Sequence, residues 1–257
     1  MKAISDYLVS FSDEVSTRLD AISAWALEGG LAGAVDALVA TLANGGVIQA
    51  FGTGHSEAFA MEIAGRAGGL IPTSKIALRD LVLHGGREVA ELDSLDGSVL
   101  ERDLGVAEEL FNLSLVDPRD IFLIASNSGV NGSIVGLALA AKERGHTVIA
   151  VTSLEHTNAV EPKHPCGKRL SELADIVIDN RAPFGDTTLE VSGGGGVGAV
   201  SSITAAYIAQ LLTIETVHSL TRAGKQPPIY VSANIPGGDE HNTALVGQYL
   251  GRLRRDA

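Results

Sequence analysis

The stretch IFLIASNSGVNGSIVGLALAAKERGHTVIAV, residues 121–151, decides the fold class. Ile121-Phe122-Leu123-Ile124-Ala125 is a short unbroken apolar run, as expected of a strand buried on both faces. A polar turn, Ser126-Asn127-Ser128-Gly129-Val130-Asn131, follows it, and 134–144 then reads as a helix stopped by Gly145. A second apolar run, 146–151, makes the whole a βαβ unit, so the two strands are expected to lie parallel.

Outward from this unit the same alternation continues. Upstream, 46–51 reads as a strand that runs into Gly52-Thr53-Gly54-His55-Ser56 and a helix over 57–67. Residues 70–72 read as a short strand, 73–98 as loops with one helical turn, and 99–110 as a helix. Asp117-Pro118-Arg119-Asp120 is a turn. Downstream, 175–179 is a strand, Gly193 to Gly196 form a glycine loop, and 200–220 is a long apolar helix. Two amphipathic helices, 4–25 and 31–42, precede the first strand, and a last short helix follows Gly237-Gly238. The expected architecture is a doubly wound parallel α/β sheet flanked by helices, with an N-terminal helical arm. The expected division is 1–45 for the arm, 46–225 for the ligand-binding domain and 226–257 for a tail that contributes to the site or to an interface.

Composition agrees and narrows the function. In 257 residues there are 30 glycines, and aromatics are only 4%, so the core must come from Val, Ile, Leu and Ala. Lys and Arg number 19 against 31 Asp and Glu, a net charge of −12, which disfavours nucleic acid and anionic membranes as partners. The arm, residues 4–42, holds a single basic residue, Arg18, which argues against a DNA-binding helix pair. One cysteine, Cys166, excludes an internal disulfide and a cysteine-based zinc cluster. No HExxH pair occurs, so neither a metal nor another cofactor is expected. The start lacks a signal-peptide pattern, and the apolar stretch 199–217 is broken by Ser, Thr, Gln and Glu, so a cytoplasmic protein is expected.

The chemistry is expected at the turns. Ligands of open parallel sheets bind beyond the carboxyl ends of the strands. Both 52–56 and 126–131 lead through Gly, Ser, Thr and Asn into a helix N-terminus, where free N–H groups and hydroxyls bind an anion without lysine or arginine. The same serines could instead serve only as helix caps. The first turn is not a dinucleotide fingerprint, because Glu57 stands where the third glycine belongs.

SNSGVN (126–131) resembles the phosphate loop of SIS (sugar isomerase) domains, and GTGHS (52–56) resembles their first-strand loop, closest to that of phosphoheptose isomerases. The runs RAGGL, LHGG, VTSLEH, DIVIDN, FGD and GGDEHN extend the likeness to largely uncharacterised bacterial SIS proteins, nearly end to end. The resemblance implies a flavodoxin-like SIS fold and a sugar phosphate held by Ser56, Ser126, Ser128 and Asn131, and Gly52, Thr53, Gly54, His55 and Asn127 of the same loops are expected to line the ligand, with His55 orienting a sugar hydroxyl or helping to neutralise the phosphate. It implies, too, a catalytic Glu62, because EIAGR resembles a catalytic segment of phosphoheptose isomerases. By position, Ser153 and His156 after the third strand, and Asp186 after the last, are expected to face the same crevice. Glu240 and His241 form a candidate acid–base pair from the tail, and His84 is a candidate in a glycine-rich loop. The implied activity is aldose–ketose isomerisation of a sugar phosphate. A sugar-phosphate etherase and a non-catalytic sensor stand as alternatives. A homodimer or homotetramer is expected, because SIS sites are commonly built at subunit interfaces.

Overall fold

A computed structural model describes residues 4–92, 99–249 and 251–254. Helices α1 (Ile4–Leu27) and α2 (Ala32–Ala43) form the N-terminal arm. Strand β1 (Ile48–Gly52), helix α3 (Glu57–Ile63), strand β2 (Thr73–Ile76) and the short helices α4 (Asp80–Leu83) and α5 (Val99–Arg102) follow. Next come α6 (Val106–Leu113), β3 (Ile121–Ala125), α7 (Gly132–Glu143), β4 (Val148–Thr152), α8 (Leu154–Ala159), α9 (Leu170–Leu173) and β5 (Ile176–Asp179). A hairpin of β6 (Thr187–Glu190) and β7 (Gly196–Ala199) leads to α10 (Ser201–Arg222), and α11 (Gly238–Val246) belongs to the tail.

The five strands β2-β1-β3-β4-β5 form one parallel sheet in that order. The alternation of side chains along the strands splits the core into two layers. Ile48, Ala50, Leu123, Ile149 and Val151 face α1, α2, α3 and α10, where Ile22, Leu38, Ile208 and Leu212 are buried. Phe51, Phe122, Ile124, Val148 and Ala150 face the other way, against Leu110 of α6 and Ile134 and Leu137 of α7. Strands apolar on both faces are what a doubly wound sheet requires. Among the described residues no single helix is long and apolar enough to cross a membrane.

Four elements differ from the sequence expectation. The second strand is Thr73–Ile76 rather than 70–72. It is polar yet buried, because the tail runs along its open edge: the Lys75 N–H donates to the Arg254 carbonyl (3.1 Å) and the Arg254 N–H to the Ser74 hydroxyl (3.0 Å). This covers an edge that would otherwise expose a ladder of backbone groups. Helix α3 stops at Ile63, and Ala64 is extended. The expected helix over 99–110 is two helices parted at Gly105. The glycine loop 193–196 is the tip of the β6–β7 hairpin, whose short polar strands carry no apolar alternation.

The tail is anchored at the amino ends of the strands. Leu70 bridges Ile229, and the Gly68 N–H donates to the Tyr230 carbonyl (2.8 Å). Arg252 donates to the Gly45 carbonyl (2.7 Å) and pairs with Asp120, whose fully buried carboxylate also accepts the Val47 and Asp117 N–H groups and the Gln49 amide.

Candidate functional site

The strand order places the switch point between β1 and β3: the chain leaves β1 toward β2 on one side and β3 toward β4 on the other. A crevice opens at that point in open α/β sheets. The register makes it level, since Gly52 pairs with Ala125, Ala125 with Val151, and Thr152 with Asp179. The loops that begin at Thr53, Ser126, Ser153 and Asn180 therefore share one rim. A narrow cleft lies there, lined by His55, Ser56, Ser126, Asn127, Asn180 and Ser201, with Phe59 and Ala205 among its walls.

Tight backbone turns set the two principal loops. A Cβ on Gly52 would lie 2.2 Å from the Ser56 carbonyl oxygen, so only glycine lets the chain fold back into α3. Gly129 has φ +65°, with the Thr157 and Thr152 hydroxyls close by. The Gly129 N–H donates to Ser126 Oγ (3.1 Å), which leaves the Ser126 O–H free to donate. Neither Ser56 nor Asn131 caps its helix with its side chain. The Ser56 and Ser128 hydroxyls form no hydrogen bond among the described residues, so capping does not account for these serines. Thr53 is buried behind the first loop, and exposed Gly54 and His55 form its crest.

Asn127 is held in place. Its Oδ1 accepts from Asn180 Nδ2 (3.1 Å), and its carbonyl accepts from the Ser153 N–H and the Thr152 hydroxyl, both at 3.2 Å.

Three residues expected to touch a ligand make framework contacts. The Ser153 hydroxyl caps α8, accepting from the His156 N–H (3.0 Å) and donating to the Ala182 carbonyl (2.6 Å), so both its roles are filled. His156 Nδ1 accepts from the Gly185 N–H (2.9 Å), and its ring stacks on Phe184 with centroids 5.2 Å apart. Asp186, at φ +69°, caps α10: Oδ1 accepts from the Val200 (3.1 Å) and Ser201 (2.7 Å) N–H groups, and Oδ2 from the Ser201 hydroxyl (2.7 Å). The three act in series. Ser153 and His156 hold the 180–186 loop, that loop presents Asp186, and Asp186 fixes Ser201 on the cleft wall.

The proposed acids and bases are dispersed. Glu62 lies one turn along α3 from the cleft-lining Phe59, where its Oε1 accepts from Gln210 Nε2 of α10 (2.6 Å) and pairs with Arg66. Within one chain the tail does not bring Glu240 and His241 to the cleft, since their segment packs at the opposite ends of the strands. Glu240 is exposed there, and His241 Nε2 pairs with the Ile229 carbonyl (3.0 Å). His84 is exposed at the end of α4 and lines no part of the cleft. Among the described residues no cluster of three or more His, Cys, Asp or Glu could hold a metal ion.

The sequence reading also missed residues of the site. Asn180, Ser201 and Ser202 reach it from elements whose approach only the fold reveals. For Ser201 and Ser202 a signal existed, since they open a long helix on the carboxyl side of the sheet. Glu101 of α5 is the least expected. Its carboxylate accepts from Asn131 Nδ2, its carbonyl accepts from the Ser133 hydroxyl (2.8 Å), and Oε2 lies 3.8 Å from where a Gly54 Cβ would stand. It thus sits between the two loops. Beside the first loop, a cavity of about 200 Å³ is lined by Gly54, Glu57, Arg79 and Glu91, with Glu57 paired to Lys75 and Arg79. A hollow of about 290 Å³ between Leu42, Leu220 and Tyr249 lies at the opposite end of the sheet from the loops.

Comparison with known proteins fits this geometry. A SIS-domain family model matches residues 10–153, more than half of the chain. The UPF0309 protein of Halalkalibacterium halodurans is 36% identical over 208 residues, which covers 80% of this chain and 83% of that protein. The UPF0309 protein of Listeria monocytogenes serovar 1/2a is 38% identical over 214 residues, 83% of this chain and 85% of its own. Among solved structures, phosphoheptose isomerase GmhA from Neisseria gonorrhoeae aligns with a TM-score of 0.53 at 17% identity, over 83% of this chain and 98% of that one. A phosphoheptose isomerase from Francisella tularensis aligns with a TM-score of 0.50 at 18% identity, over 84% and 100% of the two chains. At such identities the structural likeness is one of fold. The family match and the extent of the sequence relatives carry the assignment: the chain belongs to the SIS domain family.

Proposed function

We propose that the cleft at the β1/β3 switch point binds the phosphate of a phosphorylated sugar, and that the chain is a sugar-phosphate isomerase working by acid–base proton transfer. The observation that carries the reading is the set of unspent hydroxyls. Ser56, Ser126 and Ser128 stand on two adjoining loops, each with an O–H that no group in the described chain accepts. A phosphate oxygen accepts such donors, and backbone N–H groups at helix starts add to them. In this reading His55, exposed on the crest of the first loop and lining the cleft, meets a sugar hydroxyl. The structural neighbours named phosphoheptose isomerase support the same chemistry by analogy of fold.

In this reading the protein is cytoplasmic, needs no cofactor and self-associates. The arm supports self-association, because α1 buries only Ile22 and leaves Ile4, Leu8 and Val9 60% or more exposed.

The test is a double substitution, Ser126→Ala with Ser128→Ala. Thermal-shift screening of hexose, heptose and amino-sugar phosphates identifies ligands of the wild-type protein, and calorimetry then measures them and sulfate. The double variant is expected to lose binding while its circular dichroism stays that of the wild type. Unchanged affinity in the folded variant would refute the phosphate site.

A further inference from the structure

We propose that Glu101 is the carboxylate that faces the bound sugar phosphate and serves as its acid–base group. The proposal rests on the phosphate reading above and adds a residue that comes from neither loop.

Three features place it. Helix α5 lies across the start of α7 so closely that a Cβ on Gly132 would stand 2.6 Å from the Arg102 carbonyl oxygen. The Ser133 hydroxyl fixes the Glu101 carbonyl, so the backbone that carries the carboxylate is tied to the same helix that carries the second loop. The side chain then reaches back between the loops, with Oε1 on Asn131 Nδ2 and Oε2 over Gly54. Asn131 is thereby oriented as well, and its Oδ1 is buried without a hydrogen-bond partner among the described residues.

Charge separates Glu101 from the other acids nearby. Glu57 is paired with Lys75 and Arg79, Glu62 with Arg66, and Asp103 lies 3.7 Å from Arg87, which also holds Glu91. Asp186 is spent on α10. Among the described residues Glu101 has no cationic partner, only the amide of Asn131. Among the described residues, besides the bases already paired, the titratable neighbours are His55 on the first loop and Arg102 and Asp103 beside it in the chain, while the start of α7 offers Asn131 and Ser133. An uncompensated carboxylate next to an anion loop weakens anion binding by like-charge repulsion. A group that opposes binding yet is held there by two hydrogen-bonded contacts fits a role in the proton transfer itself.

In aldose–ketose isomerisation, the Glu101 carboxylate would take the proton from the carbon beside the carbonyl. The C–H electron pair becomes a C=C bond as the carbonyl π pair moves onto the carbonyl oxygen, giving an enediolate. The same proton returns to the neighbouring carbon while the proton on one oxygen passes to the other. Aldose and ketose thus exchange with no net gain of protons or electrons, and Glu101 ends as it began.

The test uses Glu101→Gln, which keeps an acceptor for Asn131 and removes the charge. Calorimetry with sulfate at pH 8 is expected to show roughly tenfold tighter binding in the variant. With the sugar phosphate that the wild type converts fastest, kcat is expected to fall at least about 100-fold. Equal sulfate affinity in the two proteins would show that Glu101 does not face the anion. Tighter sulfate binding with kcat within threefold of the wild type would remove the acid–base role. Absence of sulfate binding to the wild type would instead sink the phosphate reading. Should the glutamine variant not fold, Glu101→Ala removes the same charge and reads the same difference.

Discussion

Asp186 decides whether its carboxylate is framework or ligand, and three substitutions separate the possibilities. The residue combines two local demands. It accepts three hydrogen bonds at the start of α10, and it does so at φ +69°, a conformation that favours glycine and tolerates asparagine and aspartate. Asp186→Ala loses both. A charged acceptor for helix-start N–H groups is worth about 2 kcal/mol, and alanine in the left-handed region costs about 1 more, so a loss near 3 kcal/mol is expected. Asp186→Gly loses the cap but relieves the backbone, for a net loss of about 1 kcal/mol. Asp186→Asn keeps Oδ1 for the two N–H groups, and the Ser201 hydroxyl can turn to accept from the new amide, so the loss should stay under about 1 kcal/mol. Urea unfolding followed by circular dichroism gives all three values, against a total stability of about 5–15 kcal/mol for a domain of this kind. Sulfate calorimetry supplies the second readout, and the asparagine variant is expected to bind sulfate as the wild type does. Two results would refute the reasoning: alanine no worse than asparagine, or an asparagine variant of wild-type stability that has lost the anion.

Two further substitutions test the scaffold. Gly52→Ala forces a methyl to within 2.2 Å of the Ser56 carbonyl, so the first loop must open; sulfate affinity should fall at least about tenfold with a stability loss of about 2 kcal/mol, measured by calorimetry and urea unfolding. Arg252→Met leaves the fully buried Asp120 carboxylate with its N–H donors but without its cation, and should cost about 2–4 kcal/mol by shift of the urea midpoint, whereas a change below about 0.5 kcal/mol would show that the tail is not a strap.

The central sheet was legible because its strands declare themselves. Residues 121–125 and 148–151 are apolar on both faces, and only a doubly covered parallel strand asks for that. Strand β2 hid because its buried residues are Thr, Ser and Lys. Their partners, Arg254 of the tail and Glu57 of α3, lie 180 positions downstream and 18 upstream, beyond any local pattern. The site shows the same division. Glycines and serines after apolar runs pointed to both loops, and the carboxyl-end rule pointed to Ser153, His156 and Asp186, which the fold sets in the loops that follow β4 and β5. What the sequence could not reveal is whether their polar atoms were already occupied, since each binds a segment 14 to 29 residues away. Glu101 lay in a region without sustained periodicity, and only the seating of α5 on α7 brings it between the loops.

The acidic balance of the chain and an anion site are reconciled by where the charges sit. A phosphate loop made of hydroxyls and backbone N–H groups is formally neutral, so it needs no excess of lysine or arginine to exist. What it does need is that nearby carboxylates not oppose the ligand. The structure meets this at Glu57, Glu62 and Asp186, whose charges are answered by Lys75 and Arg79, by Arg66, and by the start of α10. Among the described residues Glu101 is the exception among the acids of the two loops and their immediate supports. If the cleft had been shaped for anion affinity alone, replacing Glu101 by a neutral residue would be an improvement at no cost. Such an improvement in binding, gained together with a loss of turnover, is the signature of a side chain retained for chemistry rather than for affinity.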